Sequence, residues 1–409
     1  MVPTCRTRLT RGGEVGRELY SGERHAETIR PVRRHLSVFL LLLVLLLAGA
    51  APPPALASEP RVVDEATLVD NGPAANRITL VLIGDGYTAD ELPRFRAQAA
   101  DTWRALSSVE PFRSYAPLFD VRRIDLVSPR SGIGAGSPLG MHFGCQGMPR
   151  LLCADDDAVT RYTGTPDGPE YVIALADSDR YGGGGGTGVT TLAAGATGAG
   201  LIIQHEMGHT VGGLGDEYDA APGGDSDFPN LSSADADTLA ATHAKWWRWL
   251  GAEDPTGGLV GAYRSANGLY RPTQDSIMRT LGATYNLPSR EAIIESLYRH
   301  VSPVDTVSPA ADGSAVDAGT TLRVAPVLPA DPEADGSRLT VSWTVGGGPA
   351  PGSLLGERGL AFDTRGLELP SGARVTVRVV VTDRTSWVRD DAFRRRRMSR
   401  TFSWVVTAK

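Results

Sequence analysis

Hydrophobic and polar residues follow two different patterns along this 409-residue chain. Up to about residue 300, short β-branched runs of strand length alternate with longer segments of helical periodicity. Strands are predicted at 77–83, 119–127 and 171–176, and helices at 88–107, 200–211, 238–250 and 290–300. This mixture predicts an α/β (α+β) domain at residues 77–301.

Beyond residue 310 the pattern changes to short alternating strands separated by turn residues. They are expected at 321–327, 338–345, 359–362, 374–382 and 401–407. We find no segment of helical periodicity there. The pattern predicts an all-β immunoglobulin-like sandwich at 311–409, an accessory domain joined by a linker at 302–310.

The start of the chain has the parts of a secretory signal peptide. Three arginines between residues 30 and 34 precede an apolar run at 38–51, and Ala55-Leu56-Ala57 offers a cleavage site. The run is shorter than the ~20 residues of a membrane span, although an uncleaved anchor is the alternative. We expect cleavage near Ala57, a flexible leader at 58–76, and a secreted (extracellular or periplasmic) protein without stable membrane insertion.

Removal of residues 1–57 leaves 33 basic and 43 acidic side chains, a formal charge of −10. A basic surface for nucleic acid is therefore not expected. Cys145 and Cys153 remain in this part, eight residues apart, and an oxidising compartment favours a disulfide between them. Zinc binding by the pair is the alternative, but their spacing is not CxxC.

The candidate chemistry lies in the predicted helix 200–211, which contains His205-Glu206-Met207-Gly208-His209. Residues i and i+4 share a helix face, so the two histidines can bind one zinc ion. Glu206 lies beside the first histidine and can act as the general base for a metal-activated water. Gly212-Gly213 is expected to end the helix and to turn the chain back towards the metal.

A catalytic zinc usually has three protein ligands, so one must come from outside this motif. The other histidines of the mature chain, His142, His243 and His300, do not closely follow His209. A carboxylate can serve equally well. Asp216 is our first choice and Glu217 the alternative; whichever does not bind should support the site by hydrogen bonding.

Three neighbouring features complete the expected site. Tyr218 is expected to support it together with Gly212 and Gly213. The tract Gly182–Gly186 fits either a flexible linker or an edge strand against which a peptide lies. Calcium could bind Asp219, Asp225 and Asp227, but their spacing matches no calcium-binding loop and a solvated loop explains the same composition.

The segment HEMGHTVGGLGDEY resembles the signature of the IgA-peptidase family of secreted bacterial zinc metallopeptidases, which is related to the metzincins. The resemblance covers about residues 77–300 and includes segments at 83–88, 111–113, 181–184, 269–273 and 276–279. It implies a metzincin-like peptidase domain in which a twisted mixed sheet lies over the zinc helix. It also implies that Met278 forms a methionine turn beneath the metal.

The sequence departs from the metzincin pattern at two positions. Gly215 stands where the third zinc ligand is usual, so Asp216 is expected to take that role. Thr280 stands where some metzincins have a tyrosine. Tyr270 or Tyr285 could stabilise the oxyanion instead.

We therefore expect a secreted zinc endopeptidase that hydrolyses protein or peptide substrates. One alternative is a non-enzymatic surface- or matrix-binding protein that acts through its C-terminal sandwich. Another is a zinc amidase of cell-wall peptides. The sequence specifies neither the substrate and its cleavage position nor the oligomeric state.

Overall fold

Strands rich in β-branched residues build a six-stranded mixed sheet in the first half of the chain. The computed structural model describes residues 59–409 except 166–167, 220–227, 266–267, 312, 314 and 329–338. The predicted signal peptide, Asp225 and Asp227 therefore lie outside the described residues.

The secondary structure before residue 301 is as follows. Its strands are β1 (Arg61–Val69), β2 (Ile78–Asp85), β3 (Phe119–Val127), β4 (His142–Phe143), β5 (Leu152–Cys153), β6 (Glu170–Ala176), β7 (Gly183–Gly184), β8 (Thr190–Ala193), β9 (Tyr263–Arg264) and β10 (Tyr270–Arg271). Its helices are α1 (Leu92–Leu106), α2 (Phe112–Tyr115), α3 (Asp156–Thr163), α4 (Ala199–Gly212), α5 (Ala236–Thr242) and α6 (Leu287–His300). The predicted α/β character is confirmed.

The sheet has the strand order β1-β3-β2-β6-β8-β7. Its four central strands are parallel, and β1 and β7 pair antiparallel at the two edges. Along β2, Leu80 and Leu82 pack on the side of α1 and α4, whereas Val81 and Ile83 pack against residues 139–159. Both faces of the sheet are thus buried, which explains the continuous apolar run in β2.

Strand β1 occupies residues 61–69 of the predicted flexible leader at 58–76 and corrects that prediction there. It pairs with β3 from Arg61 opposite Val127 to Val69 opposite Val121. An edge strand is held mainly by backbone hydrogen bonds, so it tolerates the polar side chains that made this segment look unstructured. Similarly, the helix predicted at 238–250 is shorter: α5 ends at Thr242, and His243 follows in a left-handed conformation.

The C-terminal strands are β11 (Val304–Ser308), β12 (Ala315–Asp317), β13 (Thr321–Pro326), β14 (Leu339–Val345), β15 (Gly348–Pro349), β16 (Ala361–Asp363), β17 (Arg374–Asp383) and β18 (Ser399–Thr407). They form a three-stranded sheet, β11-β13-β16, and a five-stranded sheet, β12-β18-β17-β14-β15. Trp343 stacks on Phe362 of the smaller sheet and on Trp404 of its own sheet, with ring centroids 5.5 and 5.8 Å apart. An immunoglobulin-like arrangement of these sheets stays a prediction.

Two features of this region differ from the sequence-based expectation. Strand β11 lies within the predicted linker 302–310 and pairs with β13. A helix, α7 (Asp391–Arg397), interrupts the strands, and its N-cap Asp390 accepts a hydrogen bond from Phe393 N. Four consecutive arginines hid the helical periodicity of α7.

The C-terminal sheets are joined to the rest of the described chain by buried polar contacts. The hydroxyls of Tyr115 and Tyr298 both donate to Asp383 Oδ2 at 2.8 Å. Arg77 pairs with Asp305 at 2.6 Å. The described residues thus form one compact unit. No helix in the described ranges is both long and apolar enough to cross a bilayer.

Glu295 on α6 makes the stability of this unit pH-dependent. Burial, together with the negative charges of Glu291 and Asp390, raises the pKa of Glu295 from 4.5 to about 7. A raised folded-state pKa means that stability is lost as the pH rises from about 4.5 through 7. We expect Glu295→Gln to become more stable than the wild type over this window, by on the order of 2–3 kcal/mol.

Urea unfolding of both proteins between pH 4 and 8 measures this difference. Glu357→Gln, at a side chain that is 91% exposed, is the control for loss of one carboxylate. A Glu295→Gln effect that is the same at every pH would contradict the expectation.

Candidate metal centre and active site

Helix α4 is positioned by glycines at both ends. Gly198 precedes it with φ of +82°, and Gly213 ends it with φ of +59°, a left-handed conformation that reverses the chain. Its buried residues Ile202, Ile203 and Met207 pack in the core beneath the sheet. The chain after Gly213 is thereby directed back along the helix face that carries the two histidines.

The two histidines meet a carboxylate from the segment that follows the helix. His205 Nε2 lies 3.0 Å and His209 Nε2 3.2 Å from Asp216 Oδ1. The two Nε2 atoms are 3.1 Å apart. Three potential ligand atoms therefore form a nearly equilateral triangle.

Hydrogen bonds on the far side of each ring fix the orientation of these imidazoles. His205 Nδ1 donates to the carbonyl oxygen of Ile277 at 2.9 Å, and His209 Nδ1 donates to that of Leu214 at 2.6 Å. A carbonyl can only accept, so both Nδ1 atoms carry the hydrogen. In the neutral rings, both Nε2 lone pairs then point at Asp216.

This arrangement fits a cation. Asp216 Oδ1 is buried and, within the described residues, has no hydrogen-bond donor. Ligand atoms about 2.0–2.1 Å from a tetrahedral zinc lie roughly 3.3 Å apart, close to the separations found here. His205, His209 and Asp216 could therefore hold a zinc ion.

Protonation is the other way to relieve this convergence of lone pairs. Burial alone would lower the pKa of His209, but the adjacent Asp216 carboxylate raises it overall. Burial would likewise raise the pKa of Asp216, but hydrogen bonds from His205 and His209 once these are protonated, and from the Tyr218 hydroxyl, lower it. Protons therefore compete with a metal ion for this site.

Glu206 lies beside the triangle, in the wall of the cavity. One ligand atom each from His205, Glu206 and His209 lie within 4.8 Å of one another, a group that could itself hold a metal. The contacts of Asp216 with both histidines are shorter, so we favour Asp216 as third ligand and leave Glu206 for acid–base chemistry. Burial raises the pKa of Glu206, although both histidines oppose the shift.

Glu217 points away from the histidines into a buried network. Its side chain accepts hydrogen bonds from Ser276 Oγ at 2.6 Å, Asn230 Nδ2 at 2.9 Å and Asn286 Nδ2 at 3.3 Å. Its backbone N donates to Met278 O at 2.9 Å. Glu217 therefore attaches the segment that carries Asp216 to the turn around Met278.

Met278 lies directly against the helix between the histidines. A Cβ added to Gly208 would be 2.6 Å from Met278 Sδ and 3.0 Å from the Tyr285 ring, so the close approach requires glycine at 208. Gly212 similarly faces Ile293 of α6, where a Cβ would be 2.8 Å from its side chain. The role of Gly208 was not predicted from the sequence, although its place within the motif was a usable signal.

The two tyrosines considered for the oxyanion do not reach the cavity. The Tyr285 hydroxyl is fully buried and donates to the carbonyl oxygen of Gln204. Tyr270 lies in β10, where its backbone pairs with Ser232. Neither lines the cavity among the described residues, because each is held in a strand or in the core; we do not assign them to the oxyanion.

Tyr218 lies at the site and brings with it a residue that sequence analysis missed. Its hydroxyl donates to Asp216 Oδ2 at 2.7 Å and accepts from Arg150 Nη2 at 2.8 Å. The Arg150 guanidinium also lies over the Tyr218 ring, 5.1 Å from its centroid. Arg150 lies 68 residues before Tyr218, so no local pattern in the sequence points to this contact.

The glycine tract lies along the other side of the cavity. Gly183 and Gly184 form the edge strand β7, one of the two predicted alternatives. A Cβ on Gly185 would lie 2.3 Å from the backbone oxygen of Glu206, so only glycine allows this approach. Cys145 and Cys153 form a disulfide, which closes a loop whose Leu151 bridges to Gly183.

Asp219, one of the three residues considered for calcium, lies beside Arg279 at 3.2 Å. The described residues offer no second acidic ligand from that predicted set.

These elements enclose one open cavity of about 1320 Å³. Its apolar lining includes Met148, Tyr181 and Phe228, which are each more than a third exposed. A cavity of this size with an apolar wall and a polar centre is suited to side chains of an extended peptide.

Comparison with known proteins places the site in a family. Residues 66–258 match the family described as IgA Peptidase M64. This segment contains both histidines, Glu206 and Asp216, whereas Met278 lies beyond it. A search of curated proteins found no match to the chain. Over this segment the chain is similar to the IgA Peptidase M64 family, as its sequence predicted, and this similarity supports a peptidase.

Proposed function

We propose that this protein is a secreted zinc endopeptidase in which His205, His209 and Asp216 hold the metal and Glu206 is the general base. One observation carries the proposal. Three lone-pair atoms converge within 3.0–3.2 Å, and the far side of each imidazole donates to a backbone carbonyl. Without a cation, this arrangement would leave a buried carboxylate oxygen without any hydrogen-bond partner, which is rare in folded proteins.

A zinc ion bound there would supply Lewis acidity that polarises a water molecule and the scissile carbonyl. Glu206, beside both histidines, accepts the proton that the attacking water loses and transfers it to the leaving amine nitrogen. Burial raises the pKa of Glu206, which makes its carboxylate a stronger base for this proton. Peptide hydrolysis by this route needs no covalent enzyme intermediate.

The chain's own residues keep the metal ligands in place. Ile277 O and Leu214 O orient the imidazoles, and Tyr218 holds Asp216 Oδ2 so that Oδ1 faces the histidines. Such supporting hydrogen bonds commonly change metal affinity about 10–100-fold.

Export of the protein is supported by two features. The N-terminal sequence has the parts of a signal peptide. The Cys145–Cys153 disulfide suits an oxidising compartment.

The test is metal removal and restoration on the exported full chain. We expect about one zinc per chain by mass spectrometry, loss of hydrolysis of an unbiased peptide library after chelation, and recovery on adding zinc. Activity that survives complete metal removal would refute the proposal. Release of peptides from peptidoglycan, without cleavage of the library, would instead identify a cell-wall amidase.

A further inference from the structure

Arg150 is a cation in the wall of the active-site cavity that the proposed mechanism does not use. Its side chain is exposed and lines the cavity together with Glu206 and Asp216. Its charge is close enough to Glu206 to oppose the rise in the pKa of that carboxyl. An exposed guanidinium this close to the reacting groups can contact a bound substrate.

The loop that carries Arg150 is fixed at several points. The Cys145–Cys153 disulfide closes it, and Leu151 pairs with Gly183 at the edge of the sheet. Thr191 Oγ1 donates to the carbonyl oxygen of Leu152 at 2.6 Å. The Tyr218 hydroxyl and ring hold the guanidinium itself. A side chain restrained in this way loses little conformational entropy when it binds a partner.

Within the described residues, Arg150 forms no ion pair with a carboxylate. Its one hydrogen bond there is to the neutral Tyr218 hydroxyl, which leaves most of its five N–H donors for a ligand. The other arginine that lines the cavity, Arg279, pairs with Asp219 at 3.2 Å. Apolar side chains such as Met148, Phe228 and Leu231 form much of the remaining wall. Arg150 is thus the cation of this wall that can still pair with a carboxylate.

We propose that Arg150 binds an acidic side chain of the substrate, so that the enzyme prefers peptides with Asp or Glu close to the scissile bond. The proposal rests on the peptidase function proposed above. A guanidinium and a carboxylate form two parallel, charge-assisted hydrogen bonds, which a glutamine in the same place cannot reproduce. The partly apolar surroundings strengthen this ion pair relative to one in bulk water.

The test uses pairs of fluorogenic peptides that differ only by Glu or Gln at each of the three positions on either side of the cleaved bond. We expect the wild type to show a kcat/KM ratio for Glu over Gln of about tenfold at one position. Arg150→Met should bring this ratio close to one. Arg150→Glu should reverse it and favour a Lys peptide at the same position.

Arg180→Met is the matched control. Arg180 donates to Pro149 O of the same loop at 2.6 Å and lies over the Phe143 ring at 4.4 Å, but it does not line the cavity. Its replacement should leave the Glu over Gln ratio as in the wild type. A ratio that falls equally in both variants would mean that general surface charge, not Arg150, determines the preference, and would overturn the proposal.

Two other outcomes would overturn it. The wild type could show no acidic preference at any position. Alternatively, Arg150→Met could slow hydrolysis of the Glu and Gln peptides equally, in which case Arg150 positions Tyr218 and Asp216 and does not select the substrate.

Binding of the same peptides to the Glu206→Gln variant, with and without Arg150→Met, measures the preference independently of turnover. Absence of hydrolysis by the wild type, with an intact binding preference, would refute the peptidase mechanism and leave the role of Arg150 supported.

Discussion

Glu206→Gln is expected to retain bound zinc while its kcat for peptide hydrolysis falls by about 10²–10⁴-fold. Glutamine has nearly the same shape as glutamate, so His205, His209 and Asp216 keep their positions. It cannot accept the proton that the attacking water must lose. Metal content per chain and kcat on one cleaved library peptide measure the two parts of this expectation.

Glu170→Gln is the matched control for this substitution. Glu170 also lines the cavity, but its carboxylate lies beside Arg122 at 3.5 Å and outside the metal-binding cluster. Its replacement should cost much less activity than that of Glu206. Wild-type turnover by Glu206→Gln would show that another group removes the proton.

Asp216→Ala is expected to lower zinc affinity by more than the roughly 10–100-fold that loss of a supporting hydrogen bond costs. The substitution removes the oxygen that lies 3.0 and 3.2 Å from the two Nε2 atoms. It should therefore abolish activity at zinc concentrations that saturate the wild type, with little change in the free energy of unfolding of the metal-free protein. Competition with a chromogenic chelator measures the affinity.

Glu217→Gln provides the contrasting variant at the adjacent position. Glu217 is fully buried and its carboxylate accepts hydrogen bonds from three side chains. The glutamine side chain would place its own N–H donors opposite the donors of these three side chains. This mismatch should cost on the order of 1–3 kcal/mol in the free energy of unfolding. If Glu217→Gln loses zinc and Asp216→Ala keeps it, the assignment of the third ligand is wrong.

The local parts of the site were predictable from the sequence because they depend on spacing within one helix and on the turn that follows it. The i, i+4 placement of His205 and His209 is a property of any α-helix. Gly213 adopts the left-handed conformation for which glycine is suited. Because no other histidine closely follows the helix in the sequence, a carboxylate just after the helix was the candidate for the third ligand.

Other parts depend on tertiary placement and could not be read from local patterns. Arg150 meets Tyr218 across 68 residues of sequence, through a loop whose position is set by its bridge to β7. Tyr285 is adjacent to the motif in space but turns its hydroxyl into the core. Strand β1 was missed because an edge strand needs backbone pairing more than an apolar face.

The position of Asp383 bears on how such an enzyme can evolve. This residue comes from the C-terminal sheet, yet it accepts hydrogen bonds from two tyrosines of the peptidase part, Tyr115 and Tyr298. Loss of the C-terminal segment would remove this acceptor and would also uncover apolar residues of the hydrophobic core that the two regions share. We therefore expect that the two regions cannot be separated or exchanged by gene deletion or fusion at residue 301. They are expected to be inherited together.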